Sequence, residues 1–115
     1  MKILLTGARG MVGSNITEHQ SISKYEILLP TSKELNLLDN VSVQSYVDKN
    51  KPDMIIHAAG IVGGIQANMM HPVKFLVDNM YMGINILMAS KNFGVKKFIN
   101  LSSSCMYPRD AKNPL

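Results

Sequence analysis

Short apolar runs and longer amphipathic stretches alternate along this chain. The first run, residues 2–5, is apolar without interruption after Lys2, as is typical of a strand buried on both faces of a parallel sheet. Similar runs predict three further strands, at residues 25–29, 54–57 and 95–101. Because helices are predicted between them, the pattern indicates the α/β class. We expect part of a Rossmann-type doubly wound parallel sheet, with about four strands in the order 3-2-1-4.

The predicted helices begin at residues that suit a helix start. The first helix spans residues 11–20, and the second begins at Asp39 or Asn40, either of which can cap it. A long helix spans residues 72–92, with Pro72 in its first turn and Gly94 at its exit. These helices supply the connections that parallel strands require.

The long helix is rich in apolar residues. Six of them approximate one helical face, namely Phe75, Val77, Met80, Ile84, Leu87 and Met88. Met82 and Ile86 widen that face. We expect the methionines to pack in the core or in a subunit contact rather than to form a promiscuous binding surface. The glycine-containing segment before this helix, residues 63–68, is predicted to be a loop.

Three glycines, Gly7, Gly10 and Gly13, follow the first strand at three-residue intervals. Gly7 permits a tight turn, Gly10 lets a pyrophosphate approach the backbone, and Gly13 lets the helix pack close to the strand. The helix presents its free amides and the positive end of its dipole to an anion. Such a pattern also arises by chance in ordinary loops, so its position between a strand and a helix is what favours dinucleotide binding.

The choice of cofactor depends on the loop after the second strand, where an acidic residue would hold the adenine ribose 2′-hydroxyl. Residues 30–33 read PTSK, with no acid before Glu34. Arg9 and Lys33 are instead placed to meet a 2′-phosphate, which favours NADP over NAD. The alternative is that both are solvated surface cations.

Small residues follow the third strand at the carboxyl edge of the predicted sheet. Ala58, Ala59 and Gly60 would let a cofactor lie against the backbone there. His57 precedes them and is a candidate catalytic base. We favour a structural histidine, because no acidic or nucleophilic residue is adjacent to it in sequence.

Composition restricts the function classes. With 115 residues, 46% of them hydrophobic, the chain can form one domain. Its net charge of +4 comes from scattered lysines, so we expect a surface that favours anionic ligands and no nucleic-acid site. Cys105 is the only cysteine, which excludes an internal disulfide and fits a reducing cytoplasm. We expect neither a signal peptide nor a membrane span, and no metal site.

Several motifs together resemble the extended short-chain dehydrogenase/reductases. The most specific are GARGMVGS, KELNLLD, HAAGIVGGIQAN, the helix that contains Asn79, and SSSCMYP. The resemblance covers essentially the whole chain. The combination of VGGIQAN with SSCMYP is similar to the family's enzymes that epimerise and reduce GDP-4-keto-6-deoxymannose. The resemblance therefore implies an NADPH-dependent epimerase and oxidoreductase that acts on a GDP-sugar.

The resemblance also implies roles for individual residues. Ser103, four residues before Tyr107, matches the family's catalytic serine, which hydrogen-bonds the sugar oxygen of the substrate. Cys105 matches a cysteine that serves as an acid/base in epimerisation, although a buried and inert thiol is the alternative. The residues that match the cofactor site are Gly7, Arg9, Gly10, Met11 and Val12 in the turn, Asn36 and Leu37 beside the adenine, and Ala58 and Ala59 beside the ribose and pyrophosphate.

The chain departs from the family in two ways. Ser32 stands where related enzymes often carry a second arginine, which makes the NADP preference less secure. No tyrosine has a lysine four residues after it, so the family's YxxxK proton-donor pair is missing. We therefore expect the N-terminal part of such an enzyme, inactive by itself and either homodimeric or self-associating.

Two alternatives to this function stay open. One is another NAD(P)-dependent nucleotide-sugar epimerase, dehydratase or reductase of the same superfamily, which would share the glycine turn and the serine. The other is a non-catalytic dinucleotide-binding module, which needs no proton donor. A YxxxK pair in a continuation of the gene would favour an enzyme.

Overall fold

The computed structural model describes residues 1–103 and 106–112. In these residues one parallel sheet forms, flanked by helices. The strands are β1 (Lys2–Thr6), β2 (Glu26–Leu28), β3 (Met54–His57) and β4 (Lys97–Asn100). The helices are α1 (Met11–Glu18), α2 (Asn40–Asn50), α3 (Ile65–Met70) and α4 (Pro72–Asn92), and a 3₁₀ helix, Gln20–Lys24, precedes β2. Among the described helices, none has the length and apolar character needed to cross a membrane.

The strand order is β2-β1-β3-β4, so the predicted order 3-2-1-4 is wrong. β3 pairs with β1 on the side opposite β2, with Leu4 beside Ile55. The prediction assumed that the third strand would extend the sheet beyond β2. Instead, residues 29–39 form turns and irregular backbone without a strand, and α2 returns the chain to the other side of β1.

The change of direction at β1 places helices on both faces of the sheet. The β1 to β2 connection runs one way along the sheet and the β2 to β3 connection runs the other way. Because both crossovers are expected to be right-handed, α1 lies on one face and α2 on the opposite face. α4 packs against α2 on that second face. This two-sided winding confirms the predicted doubly wound α/β class.

The main core lies between the sheet and the pair formed by α2 and α4. Leu4 of β1 and Ile55 of β3 are fully buried within it. The other buried members of this core are Leu35, Leu37, Val43, Val47, Met82, Ile86 and Ala89. Ile3 and Leu5 alternate with Leu4 and are also buried, so β1 is covered on both faces. That double burial explains the continuous apolar run at residues 3–5, which follows Lys2.

The start of α2 matches the sequence prediction. The Asp39 carboxylate accepts hydrogen bonds from the backbone N–H groups of Val41 at 3.1 Å and Ser42 at 3.3 Å. Val43 and Val47 are buried one turn apart on its inner face. The cap and the apolar spacing together position the helix against α4.

α4 has the predicted bounds, but of the residues predicted to form its apolar face, the structure buries only Met82 and Ile86, which widen that face. Val77, Met80, Ile84, Leu87 and Met88 are between 36% and 55% exposed. The buried residues of the helix are Met82, Asn85, Ile86, Ala89 and Ser90. α4 is apolar on two sides, and only contact with α2 and the sheet decides which side becomes core.

The prediction of a loop at residues 63–68 is wrong in part, because α3 begins within it. The Asn68 side-chain amide donates to the carbonyls of Gly63 at 3.0 Å and Gly64 at 3.1 Å. Ile65 and Met69 of this helix are more than three-quarters exposed. A helix without a buried face lacks the apolar periodicity that reveals helices in a sequence.

Candidate functional site

A cavity of about 440 Å³ lies at the carboxyl edge of the sheet. It is lined by residues 6–10 after β1, residues 30–32 and 35–38 after β2, residues 59–61 after β3, and Met82 of α4. Its volume is within the range of small-molecule sites. In open α/β sheets, ligands bind at this edge where the winding reverses, and here it reverses at β1.

Two glycines of the turn after β1 are required by close backbone contacts. Gly7 has a φ angle of +74°, and a Cβ on it would lie 2.6 Å from backbone atoms of Ala58 and Ala59. A Cβ on Gly13 would lie 2.1 Å from the Gly7 carbonyl oxygen and 2.6 Å from the Ala8 Cα. The turn can therefore pack between α1 and the end of β3 only without these side chains.

Gly10 occupies the N-cap position of α1 and offers no side-chain oxygen to the helix. Its N–H donates to the Gly7 carbonyl at 3.0 Å, and its own carbonyl accepts from the Ser14 N–H at 2.9 Å. The N–H groups of Met11, Val12 and Gly13 precede that first intrahelical bond. These amides and the helix dipole make the turn suitable for an anion.

Arg9 is the cation in the cavity lining, and Glu34, the first acid after β2, is not part of that lining. The Glu34 carboxylate accepts a hydrogen bond from the Thr31 backbone N–H at 2.7 Å, which is the main reason that the pKa of Glu34 lies below its ordinary value. The Thr31 side chain and the charge of Arg9 lower that pKa further. Glu34 is not among the lining residues, and neither is Lys33, which is exposed.

The other predicted cofactor residues fall into two groups. Asn36, Leu37 and Ala59 line the cavity. Ala58 lies behind the turn, where its backbone contacts Gly7, and it does not line the cavity. The side chains of Met11 and Val12 are exposed outside the lining, so only their backbone amides are candidates for ligand contacts.

Ser103 lies in a neighbouring cavity of about 780 Å³, between the loop after β3, α4 and the end of β4. Ala59 and Gly60 line both cavities. The two cavities therefore adjoin at these small residues, and a ligand in the first cavity would lie next to the cavity that contains the serine. Cys105, the second predicted catalytic residue, lies outside the described residues.

His57 is 6% exposed, at the boundary between the core and the larger cavity. Its Nδ1 lies 2.8 Å from the Thr6 Oγ1, and its ring faces the Phe98 ring at 6.4 Å. Burial lowers the pKa of His57, because the charged imidazolium loses its solvation. A neutral, hydrogen-bonded ring of this kind fits the structural role that the sequence favoured.

Two asparagines of α4 hold the loops around the first cavity, and the sequence reading assigned neither a role. The Asn79 side chain accepts from the Ile61 N–H at 2.8 Å and donates to the Ile61 carbonyl at 2.9 Å. Asn85 donates to the Leu37 carbonyl at 2.9 Å and is 8% exposed. The available signal was a polar residue at 85 within the buried stripe that contains Met82, Ile86 and Ala89.

A model of the NAD dependent epimerase/dehydratase family matches residues 3–115. A GDP-L-colitose synthase from Yersinia pseudotuberculosis is 57% identical over 115 residues, which is 100% of this chain and 37% of the relative. A GDP-L-fucose synthase from Azorhizobium caulinodans is 47% identical over 114 residues, which is 99% of this chain and 36% of the relative. This chain thus spans 37% and 36% of these curated relatives. A solved GDP-mannoheptose C4 reductase from Campylobacter jejuni with NADP bound has a TM-score of 0.89 at 30% identity, over 99% of this chain and 36% of that one.

Proposed function

The chain belongs to the NAD dependent epimerase/dehydratase family, and we propose that it is the NADP(H)-binding part of a nucleotide-sugar epimerase/reductase. The turn after β1 is the observation that carries this proposal. Gly7 and Gly13 lie where a side chain would collide with backbone, and Gly10 opens the start of α1 towards the cavity. A turn of this shape exposes backbone amides to a pyrophosphate, which family members that bind NADP require.

The cavity fits the parts of a dinucleotide. The amides at the start of α1 suit the pyrophosphate, and the apolar side chains of Leu37 and Met82 suit the adenine or ribose. The small Ala59 and Gly60 leave room for the chain of the cofactor to pass towards the larger cavity. We assign contacts with the cofactor to Gly7, Arg9, Gly10, Met11, Val12, Gly13, Asn36, Leu37 and Ala59. Lys33 and Ala58 lie outside the lining, and we assign them supporting roles, Lys33 through its charge and Ala58 through its backbone contact with Gly7.

A preference for NADP over NAD is supported by the charges around the loop after β2. Arg9 lines the cavity, whereas the Glu34 carboxylate is bound to the Thr31 N–H. The lining thus offers a guanidinium, which pairs well with phosphate, and no carboxylate to hold a 2′-hydroxyl. Lys33 is close in sequence and adds a second positive charge near this loop.

Bound NADPH supplies a hydride, and we assign the handling of the substrate to the larger cavity. There the Ser103 hydroxyl would donate a hydrogen bond to the sugar oxygen and stabilise negative charge that develops on it. Cys105 would exchange protons with carbons next to a keto group during epimerisation. The 115 residues hold no YxxxK pair, so cofactor binding and not turnover is the function proposed for this chain alone.

The sugar that we propose first is GDP-4-keto-6-deoxymannose, which a GDP-L-fucose synthase epimerises at C3 and C5 and reduces at C4. The motifs VGGIQAN and SSCMYP support it. A synthase of another GDP-sugar is a second candidate, because identity to the GDP-L-colitose synthase, 57%, exceeds identity to the GDP-L-fucose synthase, 47%. Activity of the full-length protein on each keto sugar would separate the two.

We also propose that a second copy of the chain covers the exposed face of α4. Val73, Val77, Met80, Ile84 and Leu87 follow a 4-3-4-3 spacing and are between 36% and 71% exposed. The last three also line the larger cavity, so the second copy would form part of the wall of that cavity. This is the spacing of a coiled-coil seam, on which two copies of one helix can interdigitate. Apolar patches of this extent on a protein surface usually mark an interface.

The cofactor proposal is tested by titrating the chain with NADPH and with NADH and following cofactor fluorescence. NADPH should bind more tightly, and Arg9→Ala should weaken NADPH binding by about tenfold, as expected for the loss of a charge-assisted hydrogen bond, while NADH binding stays the same. Lys49→Ala, which removes an exposed cation of α2, is the matched control and should change neither affinity. Equal affinities for the two cofactors, or an equal loss of both in Arg9→Ala, would contradict the phosphate role.

A further inference from the structure

Asn79, Met82 and Asn85 lie at three-residue intervals on α4, so they share one side of the helix. Met82 lines the 440 Å³ cavity between the two asparagines. Each asparagine bonds the backbone of a different lining loop, Asn79 at Ile61 and Asn85 at Leu37. One side of α4 therefore lines the cavity through Met82 and is hydrogen-bonded to two of the loops that form the cavity walls.

We propose that Asn79 and Asn85 are positioning residues that fix the separation of these two walls, and with it the affinity for the cofactor. The functional consequence rests on the cofactor proposal above, whereas the mechanical claim rests on the hydrogen bonds alone. Neither residue needs to touch the ligand. Each acts through the loop that it holds.

Asn85 holds the wall formed by the loop after β2. Asn85 and Leu37 are each 8% exposed, and the bond between them joins residues that are 48 positions apart. Without this donor the Leu37 carbonyl would be left unpaired in an apolar environment, which is unfavourable. The loop would then move until that carbonyl reached water. Since Asn36 and Leu37 line the cavity, this movement would displace the wall beside the proposed adenine.

Asn79 holds the loop after β3 by a two-point contact. Its side chain accepts from the Ile61 N–H and donates to the Ile61 carbonyl, and it also donates to the Phe75 carbonyl of its own helix at 2.6 Å. Two bonds to one residue fix the orientation of that residue as well as its distance. Ala59 and Gly60, which separate the two cavities, directly precede this anchored position.

The helix between the two anchors acts as a rigid spacer. Six residues of α-helix span about 9 Å along the axis. Ile86 and Ala89 of the same helix are fully buried in the core, so α4 cannot slide without disrupting that packing. The distance between the two walls is therefore set by helix geometry and by the two asparagines.

Hydrogen exchange read by mass spectrometry tests the mechanical claim without any ligand. Asn85→Leu should raise exchange about tenfold within residues 31–39 and leave residues 60–64 within twofold of wild type, and Asn79→Leu should give the reverse pattern. Ser90→Ala is the matched control, because Ser90 is buried on the same helix and its hydroxyl, which the change removes, donates to the Ile86 carbonyl of α4 itself and not to a cavity loop. It should change neither segment. Where a leucine variant does not fold, Asn85→Ser and Asn79→Asp replace it, the latter keeping the acceptor for the Ile61 N–H.

Ligand affinity tests the functional consequence. Both asparagine variants should bind NADPH about tenfold more weakly than wild type, and Ser90→Ala should bind it equally well. Adenosine 2′,5′-bisphosphate, which carries only the adenine half, should lose affinity in the Asn85 variant and keep it in the Asn79 variant. A merely structural role would weaken both ligands in both variants. The inference would be overturned if each variant raised hydrogen exchange equally in residues 31–39 and 60–64, or if both variants bound NADPH as tightly as wild type does. Failure of wild type to bind NADPH, with the local exchange pattern present, would overturn the proposed function and leave the positioning by the asparagines supported.

Discussion

Replacing Gly13 by alanine should destabilise the protein, whereas the same replacement at Gly83 should stabilise it. Both glycines lie within helices, Gly13 in α1 and Gly83 in α4. Helix propensity alone predicts a gain of about 1 kcal/mol for alanine at either position. The two sites therefore differ only in what the added methyl group would meet.

The structure sets the expected magnitudes. A Cβ on Gly13 would lie 2.1 Å from the Gly7 carbonyl oxygen and 2.8 Å from the Ala8 carbonyl carbon, so backbone must move by about an ångström or more. Overpacking of this kind costs about 3 kcal/mol at the upper end of its usual range, which leaves a net destabilisation of about 2 kcal/mol. In the part of the chain that the structure describes, no atom outside the adjacent helix backbone lies within 4 Å of a Cβ on Gly83, so that variant should keep the gain from helix propensity.

Urea unfolding followed by circular dichroism measures both effects. The midpoint of Gly13→Ala should fall by about 1 M, and that of Gly83→Ala should rise by about half as much. Gly13→Ala should also lose affinity for NADPH, because the displaced atoms belong to the turn that lines the cavity. If Gly13→Ala were as stable as wild type, the close packing of α1 on the turn would not be required and the role given to Gly13 would be wrong.

The pKa of His57 is lower in the folded protein than in the unfolded chain, so the unfolded chain binds a proton at a higher pH than the folded protein does. The free energy of unfolding should therefore decrease as the pH falls from about 6.5. Urea midpoints at pH 7 and pH 5 should differ less in His57→Gln than in wild type. An unchanged difference in that variant would mean that other groups cause it. The purified chain should show no turnover of GDP-4-keto-6-deoxymannose with NADPH, since it lacks the YxxxK pair, and measurable turnover would require another proton donor. In sedimentation experiments the chain should dimerise and Ile84→Glu should be monomeric, with Val41→Glu, a change at an exposed apolar residue of α2, as the control. A monomeric wild type at high concentration would assign the α4 face to another occupant.

The sequence predicted best those features that depend on neighbouring residues. Pro72 and Gly94, whose φ angle is +69°, mark the ends of α4 through their own backbone preferences. Asp39 caps α2 because its side chain reaches amides two and three residues ahead. The glycine turn was recognisable for the same reason, since its spacing reflects local geometry.

Features that depend on distant contacts were not predictable from these patterns. The predicted strand order was wrong because nothing within residues 54–57 specifies whether that strand pairs with β1 or extends the sheet beyond β2. The prediction of the buried face of α4 was wrong in part because Met82 and Ile84 are equally apolar, and only packing against α2 distinguishes them. Asn85 was overlooked because its partner, the Leu37 carbonyl, is 48 residues away.

Whether the turn after β1 binds a dinucleotide is tested most directly by titrating the isotope-labelled chain with NADPH and following its backbone amide chemical shifts. Saturable shifts should be largest at the amides of Gly10, Met11 and Val12 and within residues 31–37. Gly10, residues 31–32 and residues 35–37 line the 440 Å³ cavity, and the amides of Met11 and Val12 directly follow Gly10 at the start of α1. NADH should shift the amides at the start of α1 but affect Arg9 less. Shifts confined to α3 or β4, or no saturable shift at all, would contradict a dinucleotide site at the turn after β1.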